Sequence, residues 1–446
     1  MEELEDVIKE NVAEHENALR EKIEMLGEGN EELNQNLNDR VLNLVDKEQV
    51  ESFKSGAHPL RENNTLFKRI LDGTIKELGP DEEREGSGSY AEVIRIKDRG
   101  GAVQVAGRGA FAPHHGWWRK VSHMVKIDKR GKTIITSDGD KKAMIDEAFA
   151  DITREFSIGM KIIGGIGGKD YKKYLIPPGF IVFFSDALPI LIMEDGCKDQ
   201  SLCSLGYQLY VDKKKFGPLE ICQIGISIAK GLEYLHNLKP VIIHGDIKSP
   251  NIVVQGEGGE MTAKIIDFGC AQKEKFRSEG TLEWMAPEVL LDEEGDHKVD
   301  IYSFAMLMLE LVSGEKPWKT SYGDASGPRE VPFMVARGKR PMNQLSSSSD
   351  GWPEGVYGKI TDLVTRCWSP KSEDRPEASE IVTMLEEIQK ALKKLGAHPK
   401  EEQGGGRRKK TTKRKKKSKR RKSKKRKSKK SKQRKSKKRR KTKRKR

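Results

Sequence analysis

Three phrases within residues 241–288 decide how this chain is read: VIIHGDIKSPNIVV at 241–254, KIIDFG at 264–269 and GTLEWMAPE at 280–288. Apolar runs flank the first two, so 244–251 reads as a loop between two short strands, with Asp267 at the end of a third. Three polar groups are thereby aimed into one cleft. Asp246 is a carboxylate placed to accept a hydroxyl proton, and Asn251 and Asp267 are hard oxygen ligands suited to magnesium on ATP phosphates.

In order and spacing, HGDIKSPN resembles the protein-kinase catalytic loop, IDFG the metal-binding motif and APE the end of the activation segment. The resemblance is to eukaryotic-type protein kinases. It implies an α+β, two-lobed fold, with a small β-rich lobe over a larger helical one, and transfer of the γ-phosphate of ATP to protein hydroxyls with Mg2+. In that scheme Asp246 is the catalytic base, Lys248 steadies the transferring phosphate, and Asn251 and Asp267 hold the metal. His244 and Phe268 are structural members of the same motifs. The rival readings are a pseudokinase and a nucleic-acid-associated scaffold with a polybasic tail.

Upstream, Gly86-x-Gly88 followed by Val93 in an alternating strand resembles the glycine-rich loop, with Ala91 where the family pattern has its third glycine. Glycines let backbone close over phosphates that a side chain would push away. The ATP-anchoring lysine is expected at Lys126, in HMVKID, 33 residues past Val93. The Gly-rich excursion at 98–118 accounts for the gap, and Lys120, after two tryptophans, is the fallback. The stretch 142–163 reads as a helix with Phe149, Ile152, Phe156 and Met160 as its buried stripe. It offers Glu155, ahead of Glu147, as the carboxylate partner of that lysine. LPILIMEDG at 188–196 resembles the fifth strand and hinge, with Met193 at the gatekeeper position and Glu194 to Gly196 along the adenine; Val93 and Val253 would form the roof and floor of its slot.

Downstream, 219–237 reads as an amphipathic helix and KVDIYSFAMLMLELVSG as a buried one, whose Asp300 resembles the acid that holds the catalytic-loop backbone. Arg375 resembles the arginine that pairs with Glu288. Both ionic roles are structural, since a buried charge needs a partner. GTLEWMAPEVL, DIYSFAMLMLEL and CWSPKSEDRP look most like the tyrosine-kinase-like branch of serine/threonine kinases, and Lys248 with Thr281 favours Ser/Thr over Tyr. Gly245 stands where many kinases carry an arginine that meets an activation-loop phosphate. Ser278 is then the one ordinary phosphosite in that segment, and Thr281 is structural.

The chain of 446 residues carries +17 overall, but 31 of its 85 Lys and Arg fall in 407–446, which has no acid. The remainder sets 54 basic against 68 acidic side chains, a net −14. Residues 1–51 hold 16 acids against 5 bases, with apolar residues at helical spacing from Leu4 to Leu26 and again at Leu33, Leu37, Val41 and Leu44, broken at 27–30. That pattern describes an acidic helical arm, either a solvated or partly disordered extension or a helical hairpin packed on the kinase domain or on a partner. The organisation expected is an arm at 1–75, a kinase domain at 76–392 (small lobe 76–196, large lobe 197–392), and a linker with a disordered polybasic tail at 393–446. Such a tail binds polyanions, nucleic acid before membrane, because it has nothing apolar to insert. An acidic start, no run of eighteen apolar residues and five scattered cysteines without CxxC pairing indicate no membrane span, disulfide framework or metal cluster. They point to an intracellular protein, cytoplasmic or nuclear.

Overall fold

The computed structural model describes residues 2–44, 84–87, 91–96, 117–122, 125–127, 133–135, 141–165, 168–184, 190–194, 204–275, 280–319 and 328–396. Gly88, Gly196, Ser278, residues 98–116 of the excursion and the tail 407–446 lie outside them.

Helix α1 (Glu2–Leu26) stops at Gly27, and Asn30 caps α2 (Glu31–Asn38) by accepting the Leu33 N–H at 3.0 Å. The helical spacing expected to run on to Leu44 ends there. Val41–Leu44 is instead a strand, β1, paired parallel with β7 (Pro178–Phe184). A short apolar segment lying on an open sheet edge satisfies its backbone by pairing, and that outweighs a weak helical period.

The small-lobe sheet runs β1-β7-β8-β4-β3-β2, where β2 is Arg84–Ser87, β3 Ala91–Ile96, β4 Trp117–Ser122 and β8 Ile190–Glu194. All its other pairings are antiparallel. Strands β5 (Val125–Ile127) and β6 (Thr133–Ile135) form a separate pair. Helix α3 (Lys141–Gly164) lays its stripe of Phe149, Ile152, Phe156 and Met160 against Ile181, Phe183 and Leu191 of the sheet. Val12, Leu19 and Ile23 of α1 close the same apolar cluster, each contributing about 1.5–3 kcal/mol by the usual value of burying such a side chain.

In the large lobe α4 (Leu205–Tyr210) and α5 (Pro218–His236) precede four short strands: β9 (Ile242–Ile243), β10 (Ile252–Gln255), β11 (Thr262–Ile265) and β12 (Gln272–Lys273). They pair β10 with β11 and β9 with β12. Helix α6 (Pro287–Leu290) leads to α7 (Lys298–Ser313), which is largely apolar and is buried around its whole circumference from Lys298 to Leu311. A helix of that kind is stable only at the centre of a core. It ends where Gly314 takes φ 70, the left-handed conformation that closes helices. Helices α8 (Val331–Ala336), α9 (Met342–Ser346), α10 (Tyr357–Cys367) and α11 (Ala378–Lys394) surround it. A Cβ at Gly225 of α5 would lie 3.0 Å from Leu385 of α11 and 3.1 Å from Met308 of α7, so glycine sets the closeness of that crossing. Both lobes belong to the compact unit that ends at Ala397.

Candidate active site

The loop between β9 and β10 carries Asp246, Lys248 and Asn251, and β9 and β10 fix its two ends. Asp246 is 9% exposed and its two oxygens are used separately. Oδ2 meets Lys248 Nζ at 2.6 Å and accepts from Asn251 Nδ2 at 3.0 Å, while Oδ1 accepts from the Thr281 hydroxyl at 2.8 Å. Lys248 Nζ also donates to Thr281 Oγ1 at 2.8 Å, so the 244–251 loop and the segment beginning at Gly280 are joined through one carboxylate. Asn251 spends its amide nitrogen on Asp246, bonding the backbone carbonyl as well at 2.9 Å, which leaves Oδ1 as the oxygen for a metal. Asp267 is brought beside it because Ile252 pairs with Ile265 and the Ile266 N–H donates to Asn251 O at 3.0 Å.

His244 ties these segments together. Its Nδ1 accepts from the Asp246 N–H at 3.3 Å, which leaves Nε2 to donate to Ile266 O at 3.1 Å, and its ring stands edge-on to Phe268 at 5.1 Å. Asp267 holds φ 65, and its Oδ1 accepts from the Gly269 N–H at 3.3 Å. A non-glycine residue in that region costs roughly 1–2 kcal/mol, which the surrounding packing must supply.

A frame of buried charge lies beneath. Asp300, 0% exposed, accepts from the backbone N–H of Gly245 at 2.8 Å and of His244 at 2.9 Å, and meets His236 Nε2 at 2.9 Å. Burial pushes its carboxyl up, but His236, His244 and the Gly245 N–H outweigh that and hold it below the usual carboxylate range. Gly245 itself takes φ 76, which glycine adopts without strain. Arg375 grips Glu288 in a fork, 2.6 and 2.8 Å, and spends its other N–H groups on the carbonyls of Ser369, Lys298 and Pro370.

The sequence reading passed over Glu310, whose only signal was an acid inside the apolar run FAMLMLELVSG. It is fully buried and accepts from Ser249 Oγ at 2.6 Å, Trp284 Nε1 at 2.7 Å and the Tyr210 hydroxyl. Burial pushes it up to about 7 despite the three donors. Helix α4, the 244–251 loop and the segment after Thr281 thus meet at one carboxyl.

In the small lobe the backbone register separates the two lysines. Lys120 lies on β4, opposite Val93 of β3 and Leu191 of β8, in the strand between the glycine-containing pair and the strand of Met193 and Glu194. Lys126, the expected anchor, lies on β5, whose partner is β6 and not the large sheet. The two tryptophans that made 117–122 look unlike this strand are good strand formers. Glu155 of α3 is 4% exposed, and the neighbouring Arg154 donates from Nη2 to Gly269 O at 3.1 Å. Val253 is buried on β10.

Residues 180–385 match the family model described as protein kinase domain. The match begins in β7, after both lysines. Among curated proteins, the chain is 33% identical over 174 residues to the probable serine/threonine-protein kinase SIS8 of Arabidopsis thaliana, covering 38% of this chain and 15% of that one. It is 34% identical over 171 residues to the serine/threonine-protein kinase CTR1 of the same plant, 37% of this chain and 19% of that one. With the serine/threonine/tyrosine-protein kinase HT1, also from Arabidopsis thaliana, it shares 31% over 195 residues, 42% and 45% of the two chains. The chain thus spans less than half the length of each of these relatives.

Proposed function

We propose, from the premise that residues 180–385 are a eukaryotic-type protein kinase domain of the serine/threonine type, that the chain transfers the γ-phosphate of ATP to Ser or Thr hydroxyls of proteins. The observation that carries this is the Asp246, Lys248, Thr281 and Asn251 cluster. Asp246 orients the incoming hydroxyl and takes its proton; Lys248, already against Asp246, offsets charge on the transferring group. Asn251 Oδ1 and Asp267 supply the hard oxygens that would hold magnesium, which neutralises phosphate charge when bound. Thr281 fills the space beside Asp246 and favours a short hydroxyl acceptor.

In the small lobe, Gly86, Gly88 and Val93 would cover the nucleotide, with Met193, Glu194, Gly196 and Val253 along the adenine. The sheet register favours Lys120 over Lys126 as the phosphate anchor, with Glu155 as its partner. The test is incubation of the purified chain with magnesium, labelled ATP and a degenerate Ser/Thr/Tyr peptide library. Label on Ser and Thr is expected; no incorporation, or label confined to Tyr, would overturn the reading.

The tail 407–446 is read as a polyanion or nucleic-acid contact without base preference, because it supplies charge and no base-reading geometry. Its affinity should fall with salt at a log–log slope of roughly −0.7Z to −0.9Z for Z neutralised phosphates, and vanish when 405–446 are deleted. No helix among the described residues is long and apolar enough to cross a membrane. A cytoplasmic or nuclear location fits the buried thiols of Cys222 and Cys367, which form no disulfide.

A further inference from the structure

Helix α3 is held from two sides. On one, Arg154 reaches Gly269 O, immediately after Asp267 and Phe268, and Glu155 is buried. On the other lies the acidic arm. Val12, Leu19 and Ile23, each at most 2% exposed, recur at helical spacing along α1 and enter one apolar cluster with Ile145, Phe149, Ile152, Phe156 and Met160 of α3.

Two polar contacts fix the register of that seam. Asn11, 7% exposed, donates from Nδ2 to Asp146 Oδ1 at 2.7 Å, and His15 lies 3.2 Å through Nδ1 from Thr153 Oγ1 while stacking on Phe149 at 5.7 Å. The arm also holds the far end of the helix and the sheet beneath it. Leu37 is fully buried, and its Cδ1 would stand 3.5 Å from a Cβ at Gly164. Arg40 donates to Gly179 O at 3.1 Å and its carbonyl accepts from the Ile181 N–H at 3.0 Å, as β1 adds to β7. One continuous segment therefore grips both α3 and the strand on which it rests.

We propose that residues 2–44 are a positioning element for catalysis: they set α3 where Glu155 is buried and Arg154 meets the segment after Asp267, with Asn11, Leu19 and Ile23 as positioning residues acting through α3. This inference rests on the kinase reading above. It assigns the arm the task of ordering the small lobe, a task for which Gly245 offers no side chain to an activation-segment phosphate. An apolar seam suits that role, because it fixes one helix position without placing a charge near the nucleotide.

The test uses the full chain. Leu19→Asp/Ile23→Asp should undock the arm and lower kcat/KM for ATP tenfold or more, at a temperature where tryptophan fluorescence and circular dichroism show the large lobe folded. A synthetic 2–44 peptide of wild-type sequence should restore the rate to within about twofold. As a milder variant, Asn11→Asp sets a carboxylate against Asp146 and should cost several-fold, and Asp146→Asn in the same chain should recover it, which ties the loss to this contact. Wild-type kinetics in the undocked variant, or no recovery in Asn11→Asp/Asp146→Asn, would overturn the proposal. A wild-type chain without turnover would instead count against the kinase reading. The arm's hold on α3 would then be read from ATP affinity and from amide exchange of α3, which must quicken in both variants.

Discussion

The two carboxylates assigned to the reaction are held by opposite means. Asp246 sits on a loop whose backbone hangs from Asp300, whose Ser249 bonds Glu310, and whose lobe is braced by Arg375 on Glu288, polar groups that are buried or partly buried and satisfied by hydrogen bonds. Glu155 sits on a helix kept in place by an apolar seam with a segment more than a hundred residues away in sequence. Buried ion pairs fail abruptly when one partner goes, whereas an apolar seam weakens by increments and can be undone and remade. On the proposed reading the large lobe is held by its own polar frame, and the small lobe is the part positioned by the arm.

The two lysines put this contrast under the greatest strain. Lys120→Met should lower kcat/KM by two orders of magnitude or more with the large lobe intact, and Lys126→Met should change it less than threefold; steady-state kinetics on both variants decides the strand assignment. Next in size is the frame. Arg375→Ala removes a buried guanidinium and strips the partly buried Glu288 of its fork, so denaturant unfolding should show a loss of about 3 kcal/mol, the low end of the range for breaking a buried pair. Leu19→Ala, at the seam, should cost less, about 2–3 kcal/mol as a large-to-small change beside a helix that can close in, and its effect should appear in ATP affinity before it appears in large-lobe stability.

The most gradual effect is in pH. Glu310 keeps its proton up to about 7 in the folded chain, against about 4.5 when unfolded. Between those values the folded state binds the extra proton, so stability falls as pH rises, by about 1.4 kcal/mol for each pH unit crossed and up to about 3 kcal/mol in all. Glu310→Gln should flatten the stability profile between pH 4.5 and 7. Asp300 works in the opposite sense and in a different window: its carboxyl is held low, so its contribution is present above about pH 4 and is lost on acidification.

The contrast also explains what was legible in the sequence. Asp300, Glu288 and Arg375 could be named in advance because the phrases around them resemble fixed phrases of the kinase family. The stripe Phe149, Ile152, Phe156 and Met160 was legible for its period alone. What covers such a stripe is not local information: the apolar positions of α1 marked a face but not its neighbour, and Val41 and Leu44 kept a helical spacing while their backbone was claimed by the edge of β7. Lys120 stood only as the fallback because an excursion of unknown path separates β3 from β4, and only the register across β8 shows which strand lies between them. Glu310 escaped because its three donors come from distant parts of the chain.

If Asp246 carries out phosphoryl transfer on a platform already assembled, its carboxylate should matter to the chemical step and hardly at all to nucleotide binding. Single-turnover transfer from labelled ATP to a Ser/Thr peptide, with ATP affinity measured in wild type and in Asp246→Asn, separates the two. The expected result is a rate lower by roughly 10²–10⁴, the range for losing a positioned base, with ATP affinity within about twofold; equal rates in the two chains would contradict it.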